Sequence, residues 1–291
     1  MGNLNLLITL LSENSKIHGY FCTISDLADE IGILQELSPV SKAVFLRVMV
    51  AGTLLSGNLK NPEDILTLKW DCTGPASHIV FQIDGSGSCK GTIGNRNLML
   101  AEGLSEKGAF KTEPYIGFGE FTVSRRLHRS SRDYNSVGVI ETGEIAQDIT
   151  RFLRDSLQVD SGLKIGLNIK PDNTTAGAGG ILFMAMPGAS DNDIDRLEEL
   201  TDSIESMTEF VTADGLFKIE DFAKKHGFFI VSSREITYKC GCSDKKIIAA
   251  LSGLKTEEFA EYITEDGTIT CRCEYCNKQY KFLPQEINPT K

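Results

Sequence analysis

The sequence predicts an α+β fold that ends in a small cysteine-rich module. Three observations carry this prediction. Strand-like runs outnumber helical ones, without regular βαβ alternation. One helical stretch, Val40 to Leu55, is apolar on most sides and therefore belongs inside a core. Five of the eight cysteines sit in two short knots, Cys240-Gly241-Cys242 and Cys271-Arg272-Cys273-Glu274-Tyr275-Cys276.

Leu4 to Leu11 and Lys16 to Thr23 read as two strands joined by a turn at Glu13-Asn14-Ser15. Thr23 or Ser25 is placed to cap a short helix through Leu27 and Ile31 that ends near Gly32. Ser38-Pro39 then opens the long apolar helix, with serine at the N-cap and proline at the first helical position, and Asn61-Pro62 closes it. Ile65 to Trp70 alternates as a strand, and His78 to Ile83 forms a second after the Cys72-Thr73-Gly74-Pro75 turn. The glycines of Gly85 to Gly91 lack phosphate-loop spacing and no helix follows, so the stretch reads as a strand connection.

Further strands are expected over Gly119 to Ser124, Ser136 to Glu141, Leu163 to Lys170 and Ile181 to Met186. A helix lies between them, its Ile145, Ile149, Phe152 and Leu153 recurring at helical spacing. Gly177 to Gly180 permits close backbone approach at the start of the last strand. The composition changes after Pro187-Gly188. Ser190 and Asp193 resemble a capping box, and Ile194, Leu197, Leu200, Ile204 and Met207 form one apolar stripe on a very acidic helix. A short helix from Gly215 to Lys225 and a short strand from Phe228 to Val231 follow. In the last segment the first knot leads into a helix through Ile247, Ile248 and Leu251. A second helix carries Phe259, Tyr262 and Ile263, and a turn at Glu265-Asp266-Gly267 precedes the second knot.

The formal net charge is −10, which argues against a general nucleic-acid binder, since phosphate contacts need a positive footprint. The basic patch Arg125, Arg126, His128, Arg129 and Arg132 reads as a solvated loop. The first residues lack a basic flank and read poorly as a secretion signal. No stretch approaches the ~20 apolar residues of a membrane span. Eight cysteines without such a signal suit a reducing cytoplasm, where clustered thiols mean metal or redox chemistry.

Two cysteine groups separated by thirty residues, Cys242 to Cys273, have the spacing of a tetrahedral metal site. Thiolates are soft donors and select Zn²⁺ over Mg²⁺ or Ca²⁺. Roughly fifty residues form too small a module for a robust apolar core, so metal would supply the missing stabilisation. A purely structural zinc knuckle is the plain alternative. Cys22, Cys72 and Cys89 lie on expected strands or turns and read as packed thiols.

Tyr238-Lys239-Cys240-Gly241-Cys242-Ser243, Glu265-Asp266-Gly267 and Cys273-Glu274-Tyr275-Cys276-Asn277 resemble the zinc-binding end of the redox-regulated 33-kDa heat-shock chaperone (33-kDa chaperonin) family. Thr73-Gly74-Pro75, Thr142 to Asp148, Ala178-Gly179-Gly180 and Met186 to Ala189 fall in that family's order, so the resemblance runs through nearly the whole chain. It implies an ATP-independent holdase, not an enzyme. Cys240, Cys242, Cys273 and Cys276 would hold one Zn²⁺ per chain in the inactive, reduced form. Oxidation would release zinc, form Cys240–Cys242 and Cys273–Cys276 disulfides, and unfold a linker to expose a surface for unfolding client proteins. The resemblance also suggests a homodimer in the oxidised state. The implied organisation is a core domain over 1–187, a metastable helical linker over 188–236 and a Cys₄ redox-switch domain over 237–291.

One residue departs from the family pattern. Cys271 stands two positions before Cys273, where it can compete as a ligand or capture a disulfide. Two other function classes compete with the chaperone reading. A zinc-ribbon nucleic-acid or ribosome-associated protein shares the cysteine pattern. It requires a basic face, however, and the segment from Tyr238 onward has eight Lys/Arg against eight Asp/Glu. For an enzyme, His18, His78, His128 and His226 are scattered, and four cysteine ligands leave no open position for a catalytic water.

Overall fold

The computed structural model describes residues 5–100, 110–130, 132–212, 215–253, 263–264 and 266–287. The chain divides into two compact units, Met1–Tyr238 and Lys239–Lys291. The architecture is α+β, as the sequence predicts.

The first unit is built around one helix. Strands β1 (Leu6–Ser12) and β2 (Ile17–Thr23) form a hairpin, and α1 (Ser25–Leu34) leads to α2 (Pro39–Leu55). Ser38 caps α2 by accepting the Ser41 N–H, with Pro39 in the first turn. The apolar helix ends at Leu55 in a 3₁₀ turn, Ser56–Asn58, before Asn61-Pro62 is reached. Strands β3 (Ile65–Cys72), β4 (His78–Asp84) and β5 (Ser88–Ile93) follow, then a short α3 (Glu113–Ile116), β6 (Gly119–Arg126) and β7 (Asp133–Ile140). Helix α4 (Ile145–Leu157) precedes β8 (Ser161–Ile169) and β9 (Thr175–Ala185). The segment after Pro187 supplies α5 (Asp191–Asp202), α6 (Met207–Phe210), α7 (Gly215–His226), β10 (Phe228–Glu235) and β11 (Thr237–Tyr238).

These strands make a five-stranded sheet of order β10-β1-β2-β9-β8 and a six-stranded sheet of order β11-β5-β4-β3-β6-β7. Helix α2 packs on β2, β8 and β9 of the first and on β3, β4 and β5 of the second. That explains its apolar circumference: nearly every side chain from Val40 to Leu55 is buried because both flanks face a sheet. At Gly52 a Cβ would lie 2.3 Å from the Phe81 ring, so this helix–sheet contact needs glycine. Pro39–Asn58 does satisfy the length and composition of a membrane span, contrary to the sequence expectation, and is 83% buried within the protein. In β3 the alternation holds, with Leu66, Leu68 and Trp70 all buried and Trp70 stacked 4.6 Å from Phe121.

Several local expectations change. Helix α1 has Ile24 at its N-cap without a side-chain bond; Ser25 lies in the first turn and its Oγ accepts the Ala178 N–H instead. The helix runs through Gly32 to Leu34. Strand β9 starts at Thr175, so Gly177 to Gly180 lie inside it. Arg125 and Arg126 belong to β6, and Arg126 makes two bonds to Asp133 on β7, at 2.7 and 3.0 Å. The helix expected over Phe259 and Tyr262 lies outside the described residues.

The largest change concerns the stripe from Ile194 to Met207. It is not one helix. The capping box at Ser190 and Asp193 opens α5, which ends at Asp202, so Ile204 lies beyond it and Met207 begins α6. Leu197, Leu200, Ile204, Met207, Val211, Ile219 and Phe222 nevertheless share one apolar cluster with Ile8, Leu10, Ile17, Phe21, Ile181 and Phe183 of the five-stranded sheet. Thus α2 covers one face of that sheet, and α5, α6 and α7 cover the other. The covering segment docks closely. A Cβ on Gly162 would lie 2.0 Å from Thr201 Oγ1, and one on Gly166 would lie 2.4 Å from the Met207 carbonyl carbon.

This close approach generates a prediction. Gly166→Val forces the Met207 backbone away from β8 and is expected to destabilise the docked segment by about 1–3 kcal/mol, the usual scale of overpacking. Hydrogen exchange should accelerate over 203–212 while α2 keeps its protection. Unchanged exchange in that segment would show that the contact does not hold it in place.

Candidate metal centre

The second unit begins with Cys240-Gly241-Cys242. Ser243 then caps α8 (Asp244–Leu251) through the Lys246 N–H, and Lys246 Nζ returns to the Gly241 carbonyl at 2.7 Å. A serine cap directly after Cys242 therefore fixes where the first knot leaves off and the helix starts. The second knot sits on a hairpin of β12 (Ile269–Arg272) and β13 (Gln279–Phe282). Its turn is closed by Cys273 N–H to Lys278 O at 3.0 Å and Asn277 N–H to Cys273 O at 2.8 Å. Asn277 takes a left-handed φ of 57°, a conformation asparagine tolerates better than most residues.

These turns bring the four predicted thiols together. The Sγ atoms of Cys240, Cys242, Cys273 and Cys276 all lie within 4.8 Å of one another. The shortest separations cross between the knots: Cys240 to Cys273 at 3.5 Å and Cys242 to Cys276 at 3.4 Å. Four soft donors at one point, contributed by two turns, suit a tetrahedral metal ion closed to further ligands. Among the described residues, Ile269, Cys273, Tyr280, Phe282 and Ile287 are the buried members of the surrounding core. Tying the thiols together adds stability to a unit of about fifty residues.

Tyr280 is the functional contact that the sequence did not reveal. Its hydroxyl donates to Cys242 Sγ at 2.9 Å. The Cys242 thiol is held at about 7: burial opposes ionisation there, and the hydrogen bonds from Tyr280 and the neighbouring thiols outweigh it. Burial pushes Cys240 the other way, above the ordinary thiol range. Tyr280 faces inward by strand alternation with Phe282, which marks a core position but gives no sign that its hydroxyl reaches a cysteine 38 residues away.

A model of the Hsp33 protein family matches residues 5–283. The chain belongs to the Hsp33 family. The 33 kDa chaperonin of Agathobacter rectalis is 26% identical over 97% of both chains. That of Thermus thermophilus is 29% identical over 90% of this chain and 80% of its own. The crystal structure of the 33 kDa chaperonin from Thermotoga maritima matches the fold with a TM-score of 0.85, at 24% identity, over 99% of this chain and 97% of that one.

The remaining cysteines of this Hsp33 chain lie elsewhere. Cys22 and Cys89 are buried in the first unit, and burial pushes both thiols far up. Cys72, at the end of β3, is pushed up to about 11 by burial and by the Asp71 carboxylate, and its Sγ donates to Ser77 O at 3.2 Å. Such thiols are poor nucleophiles at neutral pH. Cys271 lies on β12 and is not one of the four clustered thiols. The four histidines form no metal-capable group among the described residues.

The Tyr280 contact can be tested directly. Tyr280→Phe removes a donor that stabilises the Cys242 thiolate, so metal affinity is expected to fall by about tenfold or more, the usual cost of losing an outer-shell partner. Competition with a chromogenic chelator measures it. Equal affinity in the two proteins would mean that the hydroxyl only fills space.

Proposed function

We propose that this chain is a redox-regulated, ATP-independent holdase of the cytoplasm. Its substrates are unfolded or partly unfolded client proteins, with no nucleic-acid, membrane or enzymatic role. The observation that carries this reading is the four-thiol cluster in a chain of the Hsp33 family. Zn²⁺ is the metal of choice, because a tetrahedron with Zn–S near 2.3 Å sets its sulfurs about 3.8 Å apart, close to the spacing of the nearest thiols.

In the reduced state Cys240, Cys242, Cys273 and Cys276 would hold one Zn²⁺, which when bound ties the two knots of a weakly cored unit together. A peroxide takes one cysteine thiolate to sulfenic acid and leaves as water or hydroxide. A second thiol then attacks the sulfenic sulfur, forming a disulfide and releasing water. Two such events account for Cys240–Cys242 and Cys273–Cys276. The nearest thiols pair across the knots, so pairing within each knot follows their separation.

Loss of the cluster acts on the chain just before it. Tyr238 ends the first unit, and Cys240 stands two residues on. The 188–236 segment is suited to be the metastable linker. It is acidic, α6 has only four residues, and its helices hold the five-stranded sheet through one apolar layer over close-packed glycines, while β10 pairs along the sheet edge with β1. Its release would uncover Ile8, Leu10, Ile17, Phe21, Ile181 and Phe183, a continuous apolar face for clients. The oxidised form would act as a homodimer.

Treating reduced, zinc-loaded protein with peroxide at mildly raised temperature is expected to release about one zinc per chain, as a Cys₄ site holds one ion. Suppression of client aggregation should rise in step, and thiol reductant with zinc should reverse both. Zinc release without any gain in suppression would reduce the cluster to a structural knuckle.

A further inference from the structure

The chain that leads from the helical cover toward the cysteines is fastened to both sheets of the first unit. Strand β10 pairs with β1, from Phe228 opposite Ser12 to Glu235 opposite Leu6. Strand β11 then pairs in parallel with β5 of the six-stranded sheet, Thr237 opposite Ser88 and Tyr238 opposite Cys89. Between them Ile236 is buried, and its N–H donates to Asn5 O at 2.8 Å. The crossing is close: a Cβ on Gly87 would lie 2.0 Å from the Glu235 carbonyl oxygen.

Two side chains seat this crossing. The Arg234 guanidinium donates to Gly85 O at 2.7 Å and to both Ser56 O and Ser56 Oγ at 3.0 Å. Ser56 is the C-cap of α2, where the helix dipole favours a cation. The Tyr238 hydroxyl donates to Gly91 O at 2.9 Å and accepts from Gln35 Nε2 at 2.8 Å. Strand β11 has only two residues, so the hydroxyl supplies a large part of its hold. In the chain, Lys239 alone separates this seat from Cys240. We propose that Arg234 to Tyr238 form a strap that carries loss of the thiol cluster to the helical cover by peeling from Tyr238 backward. The inference rests on the redox reading given above and deepens it by naming the path.

The order follows from where each contact sits. Strands fray from ends that nothing ties down. While the cluster orders Cys240, β11 is followed within two residues by ordered chain; once the cluster is lost, Tyr238 is the last seated residue of a frayed end. Its hydroxyl and the Thr237 N–H to Gly87 O bond are the first to go. Arg234 is next, and with it the end of β10. At the other end of β10, Phe228 lies in the apolar layer beneath the cover, 5.8 Å from the Phe183 ring, and shares that layer with Ile219, Phe222 and Ala223 of α7. Peeling β10 therefore takes a buried side chain out of the layer that holds α7 down.

The full-length reduced, zinc-loaded protein is treated with hydrogen peroxide while zinc release, hydrogen exchange and suppression of client aggregation are followed together. Protection is expected to fall first at Ile236 and Thr237, then along β10, then over α5 to α7, all after zinc release. Tyr238→Phe keeps the ring and removes the hydroxyl. Zinc should leave it at the wild-type rate, while the cover opens about fivefold faster, the scale of one ordinary hydrogen bond. Arg234→Lys keeps the charge, loses the forked contact and should shift the opening in the same direction. Unchanged protection of α2 in both reduced variants shows that they fold alike. A cover that opens while Ile236 and Thr237 stay protected, or that opens in both variants at the wild-type rate, overturns the strap and leaves the holdase reading intact. The expected order of opening without any gain in suppression upholds the strap and overturns the holdase reading.

Discussion

A sheet with two apolar faces must be covered twice. In this chain the five-stranded sheet β10-β1-β2-β9-β8 has that property, and its two covers differ in kind. On one face lies α2, seventeen residues long, held between two sheets and buried along almost its whole length. On the other lie α5, α6 and α7, whose inward residues reach the sheet but whose outward faces are charged and solvated. Removing the first cover would dismantle the unit. Removing the second leaves α2 and its core in place and costs one layer of burial. Local unfolding draws on elements of low stability, and the geometry makes the second cover the cheaper one to lift.

The second unit meets a related constraint from the other side. Among its described residues few side chains are buried, and the unit is short, so the four thiols are placed to supply closure that burial does not. Chemistry that is attractive to an oxidant is thereby placed where the fold is least able to do without it. In the proposed function, that dependence converts a two-electron oxidation into loss of structure.

Much of both units was legible. Ser38-Pro39, the alternation of Leu66, Leu68 and Trp70, and the Ser190–Asp193 capping box are local patterns, and each appears where expected. The cysteine knots pointed to a metal site, and the family resemblance named the four thiols that cluster. Misreadings arose where a local pattern met a non-local competitor. Ser25 was a reasonable cap, but its hydroxyl accepts from Ala178 on β9, while Asn5 accepts the Leu27 N–H at the start of the helix. Leu197, Leu200, Ile204 and Met207 keep helical spacing because they meet one sheet face, and a broken helix satisfies that as well as a continuous one.

The sequence by itself determined most element types, the long buried helix and the two cysteine knots, because strand alternation, helix caps and the spacing within each knot are properties of near neighbours. Tertiary structure alone decided the rest. It put α2 between two sheets and buried Lys42, which binds Asp29 at 2.6 Å and the Asn173 carbonyl 131 positions away at 2.6 Å. It also set the Tyr280 hydroxyl on Cys242 and turned Cys271 toward the same core. Each of these joins residues distant in sequence, and such contacts leave no periodic trace in the residues that make them.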